Sequence, residues 1–189
     1  MKKFLIVCLA FVLAYALTSC NNVPKQEDTK KVAEEHNEAK FAAAKEADAQ
    51  FLVNAAEMNL EEIKLGELAQ TNSTMSDVKK LGAMMKTDHA QGLKDLQVLA
   101  ASKQVTLPTS ITDNGQAAYS KIMNKKGHAF DKDYCDMAVT THKIAVDKFE
   151  KAATSVADAD IKAWAATILP ALRTHLDASM TCQKKCEKM

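Results

Sequence analysis

The sequence contains little glycine, proline or aromatic residue: 5 Gly and 3 Pro occur among 189 residues, and Phe, Trp and Tyr together make up 5%. All-β folds place Gly and Pro at frequent turns, and their half-buried strands alternate apolar with polar residues. No stretch of this chain does so. Ala, Leu, Lys and Glu are abundant instead, and these residues favour helices. The composition therefore predicts an all-α protein.

Neither charge is in excess: the chain has 25 Lys and Arg and 24 Asp and Glu, which gives a formal net charge of +1. Nucleic-acid-binding proteins carry dense basic patches, and their absence here excludes nucleic acid as an expected partner. The chain also lacks a nucleophile elbow, a Gly-rich phosphate loop and the zinc-protease helix signature. A non-enzymatic protein is therefore favoured over an enzyme.

The first twenty residues predict a targeting segment. Lys2 and Lys3 precede an apolar run of about 14 residues, shorter than the roughly 20 that a membrane-spanning helix needs. The run ends on L-T-S-C, as bacterial lipoprotein signals do, which predicts a signal peptide over 1–19 and lipid on Cys20. An ordinary secretory signal with an incidental Cys20 is the alternative. We expect a protein lipid-anchored outside the cytoplasm, in the bacterial cell envelope (outer membrane or periplasm), whose protein partner the sequence does not identify.

The rest of the chain divides into a tether and one domain. Residues 20–40 are polar and cannot bury a core of their own, whereas residues 41–189 are long enough for one domain. Short links make the first helix antiparallel to the second and the third antiparallel to the fourth, which predicts an up-down four-helix bundle. The long helical segments span about 40–70, 76–103, 129–154 and 158–182, and a short one spans 116–125.

Three histidines, His89, His142 and His175, lie on the apolar stripes of three different helices. Counting residues from the turns, at 1.5 Å per residue, places all three within about one helical turn of the same cross-section. Neutral imidazoles bind Zn, Cu, Fe and Ni. The pattern predicts a site for a single transition-metal ion in the bundle core. One alternative is a non-enzymatic interaction or structural module, in which the histidines form a hydrogen-bonded layer that fixes helix register and the outer faces meet a partner. Coincidence is the other.

The first helix offers a carboxylate to the same site. Glu62 continues the apolar stripe of this helix and therefore points inward, although it lies about 7 Å below His89 along the axis. Glu57 lies closer to the level of His89 along the helix axis, but its side chain is expected to face outward. We expect Glu62 to be the fourth ligand.

Four segments of the chain resemble the bacterial domain of unknown function 4142, a family grouped with ferritin-like four-helix bundles. They are FLVNAAEMNLEEIKLGELA (51–69), VKKLGAMMKTDHAQGLKDLQVLAASKQVTLP (78–108), GHAFDKDYCDMAVTTHKIAVDKFE (127–150) and WAATILPALRTHL (164–176). The resemblance covers about residues 45–180 and implies a ferritin-like antiparallel four-helix bundle without an established activity. The family pattern marks Glu62, Asp88, His89, Phe130, Asp131, His142, Pro170, Arg173 and His175.

The resemblance also implies supporting residues around the ion. Asp88, Asp131 and Arg173 are expected to hold or orient the ligands. The planar guanidinium of Arg173 suits a carboxylate such as Asp88, and a surface pair with Asp177 is the alternative. Ferritin-like di-iron proteins carry Glu-x-x-His motifs, which are missing here, so one ion is favoured over a di-iron centre. The family usually has small residues where Met58 and Asn59 stand.

The cysteines leave a second question open. If one of the five leaves with the signal and Cys20 is acylated, Cys135, Cys182 and Cys186 remain. An odd number outside the cytoplasm means that at least one thiol is free, metal-bound or paired between molecules. Cys182 and Cys186 lie one helical turn apart and form a possible thiol pair. A strained disulfide, a soft-metal site with Met180, and free thiols are the three alternatives for this pair.

Overall fold

The computed structural model describes residues 27–188, which form six helices and contain no strand. The predicted all-α class is confirmed. The expected signal peptide and Cys20 lie outside the described residues, and none of the described helices is long and apolar enough to cross a membrane. The helices are α1 (Thr29–Lys40), α2 (Ala43–Asn72), α3 (Ser76–Ser102), α4 (Asp113–Ile122), α5 (Gly127–Ser155) and α6 (Ala159–Cys186).

Three of these helices begin at side chains that cap them. The carboxylate of Asp28 accepts a hydrogen bond from the Lys30 backbone N–H at the start of α1. Asp158 accepts from two backbone N–H groups at the start of α6, and Thr112 caps α4 in the same way. Such bonds satisfy N–H groups that the first turn of a helix leaves without an intrahelical partner. Of these caps, Asp158 stands at the predicted start of the last helix, whereas α4 begins three residues before the expected 116.

The connection from α3 to α5 returns along the length of the molecule. Asn72, at the end of α2, donates a hydrogen bond from Nδ2 to the Lys125 carbonyl at 3.0 Å, so α5 begins beside the α2–α3 turn. At the opposite end, Lys103 Nζ lies 2.7 Å from Asp158 Oδ2, which places the ends of α3 and α5 together. α3 and α5 are therefore parallel, and the up-down order does not hold for them. Residues 103–126, which include α4, are long enough for this return.

α2 and α3 approach each other closely at two glycines. A Cβ atom on Gly82 would lie 2.5 Å from the Ala69 Cβ and 2.9 Å from the Gly66 carbonyl oxygen. A Cβ atom on Gly66 would lie 2.6 Å from the Gly82 carbonyl oxygen. Real Cβ atoms do not approach backbone oxygens so closely, so any side chain at either position would push the two helices apart. The antiparallel α2–α3 pair depends on both glycines.

A layer of polar side chains divides the buried core in two. One apolar cluster contains Leu52, Leu96, Phe149 and Leu172, and the other contains Leu65, Met85, Phe130 and Tyr134. Buried polar groups are rare unless they are hydrogen-bonded or serve a function. The polar layer between the clusters is therefore the candidate functional site. It contains Asn59, Glu62, His89, His142 and His175.

The second half of the expected tether is folded against the domain as α1. Asn37 is 3% exposed; its Nδ2 donates to the Thr106 carbonyl at 2.9 Å, and its Oδ1 accepts from the Thr106 N–H at 2.8 Å. Lys30 pairs with Glu57 on α2 at 2.6 Å. α1 needs no apolar core of its own because polar side chains attach it to the domain.

Candidate metal centre

His89 on α3, His142 on α5 and His175 on α6 meet inside the molecule; we call them the histidine triad. One ring nitrogen of each lies within 4.8 Å of those of the other two, and the residues are only 1–3% exposed. Each histidine stands near the middle of its helix. The position of each histidine along the bundle axis is therefore nearly the same whichever way its helix runs. For this reason the three side chains meet although α3 is parallel to α5.

The His89 ring is oriented by Asn59 of α2. Asn59 Nδ2 donates to the Ala55 carbonyl at 2.8 Å, which turns Asn59 Oδ1 towards His89 Nδ1 at 2.9 Å. An amide oxygen can only accept, so Nδ1 of His89 carries the proton. The Nε2 atom of His89 therefore presents a lone pair.

His142 is fixed in the same tautomer by its own helix. Its Nδ1 lies 2.9 Å from the Ala138 carbonyl oxygen, which also only accepts, so this nitrogen is protonated and Nε2 has a lone pair. The Nε2 atoms of His89 and His142 are 3.4 Å apart. With both protons on the Nδ1 atoms, no hydrogen lies between these two nitrogens.

His175 is oriented by a carboxylate from another helix. Its Nε2 lies 2.9 Å from Asp88 Oδ2 and donates to it. The other nitrogen, Nδ1, is buried and has no hydrogen-bond partner in the described part of the chain. The triad therefore holds three ring nitrogens with lone pairs and no donor directed at them, while the opposite nitrogen of each ring is hydrogen-bonded to an acceptor.

The buried environment favours the neutral form of His89 and His175. Burial lowers the pKa of His89 well below its usual value, and the charges of His142 and His175 lower it further. Burial also lowers the pKa of His175, against the opposing effect of Asp88. A neutral imidazole is the form that binds metal ions.

Glu62 lies beside the triad, on the side of His142 that faces away from the lone pairs. Its Oε1 accepts a hydrogen bond from Thr141 Oγ1 at 2.7 Å and is 3.8 Å from His142 Nδ1. Its Oε2 is buried without a hydrogen-bond partner among the described residues. The structure thus brings Glu62 to the protonated Nδ1 of His142 and not to its Nε2, which lies 3.4 Å from His89 Nε2.

Of the three expected supporting residues, only Asp88 contacts the triad. Arg173 donates instead to Glu150 Oε1 at 2.8 Å, and both side chains are about half exposed. Asp131 precedes His142 by three helical turns, about 16 Å along α5. It is completely buried and lies on the face of α5 that carries Cys135.

Asn59 and Thr141 were not expected among the site residues. The spacing of Ala55, Asn59 and Glu62 places all three on one face of α2, and this regularity is the signal that identifies Asn59. Gly92 on α3 leaves room for Asn59, since a Cβ atom there would lie 3.3 Å from Asn59 Oδ1. Thr141 has no comparable signal beyond its place next to His142.

A cavity of about 540 Å³ opens between α2 and α5 and reaches Glu62 and Thr141. Phe51, Met58 and Phe149 are among its apolar lining residues. Glu61 also faces it; burial raises the pKa of this carboxyl to about 7, and the charges of Glu62 and Glu57 contribute. The cavity therefore reaches the neighbours Glu62 and Thr141, but His89, His142 and His175 are not among its lining residues.

Most of the chain, including the whole triad, matches one protein family. The model of a domain of unknown function, DUF4142, matches residues 33–181. The chain belongs to this family. No curated protein and no solved structure matches the chain. The DUF4142 match also contains Asp88, but it ends before Cys182 and Cys186.

Proposed function

We propose that this DUF4142 protein is a lipid-anchored protein of the bacterial cell envelope that binds one transition-metal ion through the histidine triad. The observation that carries the proposal is the set of acceptors that the three rings contact, from which we infer the positions of their protons. His89 Nε2, His142 Nε2 and His175 Nδ1 each have a lone pair in a buried space, and no described residue donates a hydrogen bond to any of them. A cation would satisfy all three.

The second ring nitrogens support the same proposal. Histidines that bind metals commonly donate their other N–H to a carbonyl or carboxylate, which fixes the tautomer and the ring orientation. Here Asn59, Ala138 and Asp88 supply those three acceptors. Three imidazoles are a good ligand set for Zn, Cu, Fe or Ni, and they leave a further coordination position for water or a substrate.

A structural layer of histidines is the alternative function, and the proton arrangement disfavours it. In such a layer, the N–H of one ring would point at the lone pair of the next. The closest ring nitrogens, those of His89 and His142, are both lone-pair atoms. A proton added between them would have to charge a buried imidazole, which the lowered pKa of His89 opposes.

The finer architecture is part of the proposal. We assign the four long helices to a ferritin-like four-helix bundle, in which two antiparallel pairs are joined by one long crossover. The return of residues 103–126 along the molecule supports this assignment. The Glu-x-x-His motifs of di-iron proteins are absent from the sequence, which supports one ion in place of two.

Lipid on Cys20 would hold the domain close to a membrane. The L-T-S-C sequence supports this anchor. Because α1 begins at Thr29 and is attached to the domain, only about eight residues separate the lipid from folded structure. A fully extended chain of that length spans about 28 Å.

The metal proposal is tested on untagged protein purified as the cell processes it. We expect elemental analysis to find about one equivalent of a transition metal attributable to the triad, and metal-free protein to bind Ni²⁺ or Zn²⁺. With free ion at 100 times its dissociation constant, the free energy of unfolding should rise by about 2.7 kcal/mol. Replacing His89, His142 and His175 by Ala should abolish the gain, whereas replacing the exposed His36 and His128 should leave it unchanged.

Two results would overturn the proposal. The first is metal-free protein whose stability does not change with Zn, Cu, Fe or Ni, which is the behaviour of a purely structural layer. The second is a triple histidine variant that is folded by circular dichroism and binds Ni²⁺ as tightly as the parent, without thiolate-to-metal absorption.

A further inference from the structure

Three cysteines form a second cluster near the α2–α3 turn. Cys135 on α5 meets Cys182 and Cys186 on α6, and all three side chains are buried free thiols. Their Sγ atoms lie within 4.8 Å of one another, and those of Cys135 and Cys186 are 3.7 Å apart. The expected pair of Cys182 and Cys186 is therefore part of a trio.

A fourth sulfur atom completes the cluster. Cys186 Sγ donates to the thioether of Met75 at 3.6 Å. Met75 is the residue immediately before α3, so the four sulfur atoms come from three different helices or helix ends. Met180, which precedes Cys182 by two residues, lies on a different face of α6 because two residues rotate a helix by about 200°.

Asp131 is a buried acidic neighbour of the cysteine cluster. It stands one helical turn before Cys135 on the same face of α5. Its side chain is completely buried, and neither carboxylate oxygen has a hydrogen-bond partner among the described residues. An unpaired buried carboxylate is unfavourable, but three thiolates around one monovalent ion would carry a net charge of −2, so an ion held by these sulfur atoms would not offset it.

We propose that Cys135, Cys182 and Cys186, with the thioether of Met75, form a second metal site for one soft ion, Cu(I) in the first place. Thiolates and thioethers are the ligands that select such ions over harder ones. Each thiol that binds loses its proton to solvent. The site is separate from the triad: Cys135 precedes His142 by seven residues on α5, and Cys182 follows His175 by seven on α6. Two helical turns, about 10 Å, therefore separate the sites along the axis.

A disulfide is the competing use of these thiols. It would join two of them at about 2.05 Å and leave the third cysteine and Met75 without a role. The metal site uses all four sulfur atoms.

The experiment titrates Cu(I) into the protein as the cell processes it, reduced, metal-free and under anaerobic conditions, with a chromogenic Cu(I) chelator as competitor. We expect one Cu(I) per chain with thiolate-to-metal charge-transfer absorption. Loss of a residue that only supports a ligand typically weakens metal binding by about 10–100-fold. Cys135→Ser removes a ligand and should weaken it by about 100-fold or more, whereas Met75→Leu removes the weaker thioether and should weaken it by about 10-fold. Met180→Leu is the matched control and should bind as the parent does.

Circular dichroism and thermal unfolding establish that each variant is folded. If Cys135→Ser does not fold, Met75→Leu decides, because Leu and Met have similar volumes. The proposal is overturned if the charge-transfer absorption is absent, or if Met75→Leu and the folded cysteine variant bind Cu(I) like the parent. It is also overturned if alkylation of protein taken directly from cells, followed by mass spectrometry, finds two of the three cysteines in a disulfide.

Discussion

Asp88 Oδ2 lies 2.9 Å from His175 Nε2, so a carboxylate that is half exposed on α3 holds an imidazole that is buried on α6. The contact fixes which nitrogen of His175 carries the proton. It also joins the α2–α3 pair of helices to the α5–α6 pair at the level of the triad.

Loss of this carboxylate should weaken metal binding without removing a ligand. We expect Asp88→Ala to lower the affinity of the triad for Ni²⁺ or Zn²⁺ by about 10–100-fold, and Asp88→Asn, which keeps an acceptor, to lower it less. Competition titration measures both affinities. Asp95→Ala is the control, because Asp95 is exposed on the same helix and is hydrogen-bonded to Gln91. Equal affinities for Asp88→Ala and the parent would contradict the assigned role.

Asn59 should contribute to both stability and binding. Asn59→Leu removes the acceptor of His89 Nδ1 and leaves a buried N–H without a partner, which costs about 1–3 kcal/mol. We expect urea unfolding to show this loss in metal-free protein, together with weaker Ni²⁺ binding. Asn54→Leu changes the same residue type on the same helix at a position without contact to the triad. A variant at Asn59 as stable as Asn54→Leu would show that the amide does not hold the ring.

The carboxyl of Glu61 should make the protein less stable at higher pH. Its pKa is raised to about 7 in the folded state by burial and by the charges of Glu62 and Glu57. The stabilising effect of the neutral carboxyl is complete below the unfolded pKa of 4.5 and is lost as the pH rises through about 7. Glu61→Gln should therefore gain stability relative to the parent as the pH rises. Thermal unfolding over this range measures the difference, and a constant difference would be the opposite result.

The buried histidines His89 and His175 should make the protein less stable at lower pH, opposite to the effect of Glu61. The folded-state pKa values of His89 and His175 lie below the ordinary value of 6.5. As the pH falls below 6.5, the unfolded chain takes up protons that the folded protein does not, so the free energy of unfolding decreases. The slope is at most about 1.4 kcal/mol per pH unit for each histidine. Metal-free Glu61→Gln protein shows this slope best, because the opposing effect of Glu61 is absent.

The control for that slope is the replacement of His36 and His128 by Gln in the same background. Both side chains are exposed, and the slope should persist. Denaturant unfolding at several pH values is the measurement. A stability that does not fall between about pH 7 and pH 5 would mean that His89 and His175 do not stay neutral on folding.

Gly82 should tolerate no side chain. Gly82→Ala places a Cβ atom against Ala69 and the Gly66 carbonyl, and forcing α2 and α3 apart costs about 1–3 kcal/mol. Gly92→Ala meets only the side-chain oxygen of Asn59, at 3.3 Å, and should cost less. Thermal unfolding of the two variants compares them, and a Gly82→Ala variant as stable as the parent would mean that the helices can separate without loss.

The helices were predictable because their signals are local. Composition, apolar periodicity and capping residues such as Asp158 depend on neighbours in the sequence, and they identify each long helix to within a few residues. The relative direction of α3 and α5 could not be predicted in the same way. A connection such as 103–126 has a maximum reach but no fixed direction, so sequence alone does not distinguish a turn from a return along the bundle.

The candidate site was predictable to the level of the residue but not of the atom. Counting along helices brought His89, His142 and His175 together. It could not show that Glu62 contacts the protonated side of His142, because that depends on ring rotation. Counting residues also could not predict side-chain contacts between different helices. Arg173 pairs with Glu150, and Cys135 lies beside Cys182 and Cys186, which are far from it in the sequence.

The long return between α3 and α5 has a consequence for how the protein folds. The pairs α2–α3 and α5–α6 are each hairpins of neighbouring sequence, and such local structures form quickly. The triad does not exist in either hairpin, since the first supplies His89 and the second supplies His142 and His175. It is assembled only when the hairpins dock. An ion bound to residues of both hairpins would slow their separation during unfolding.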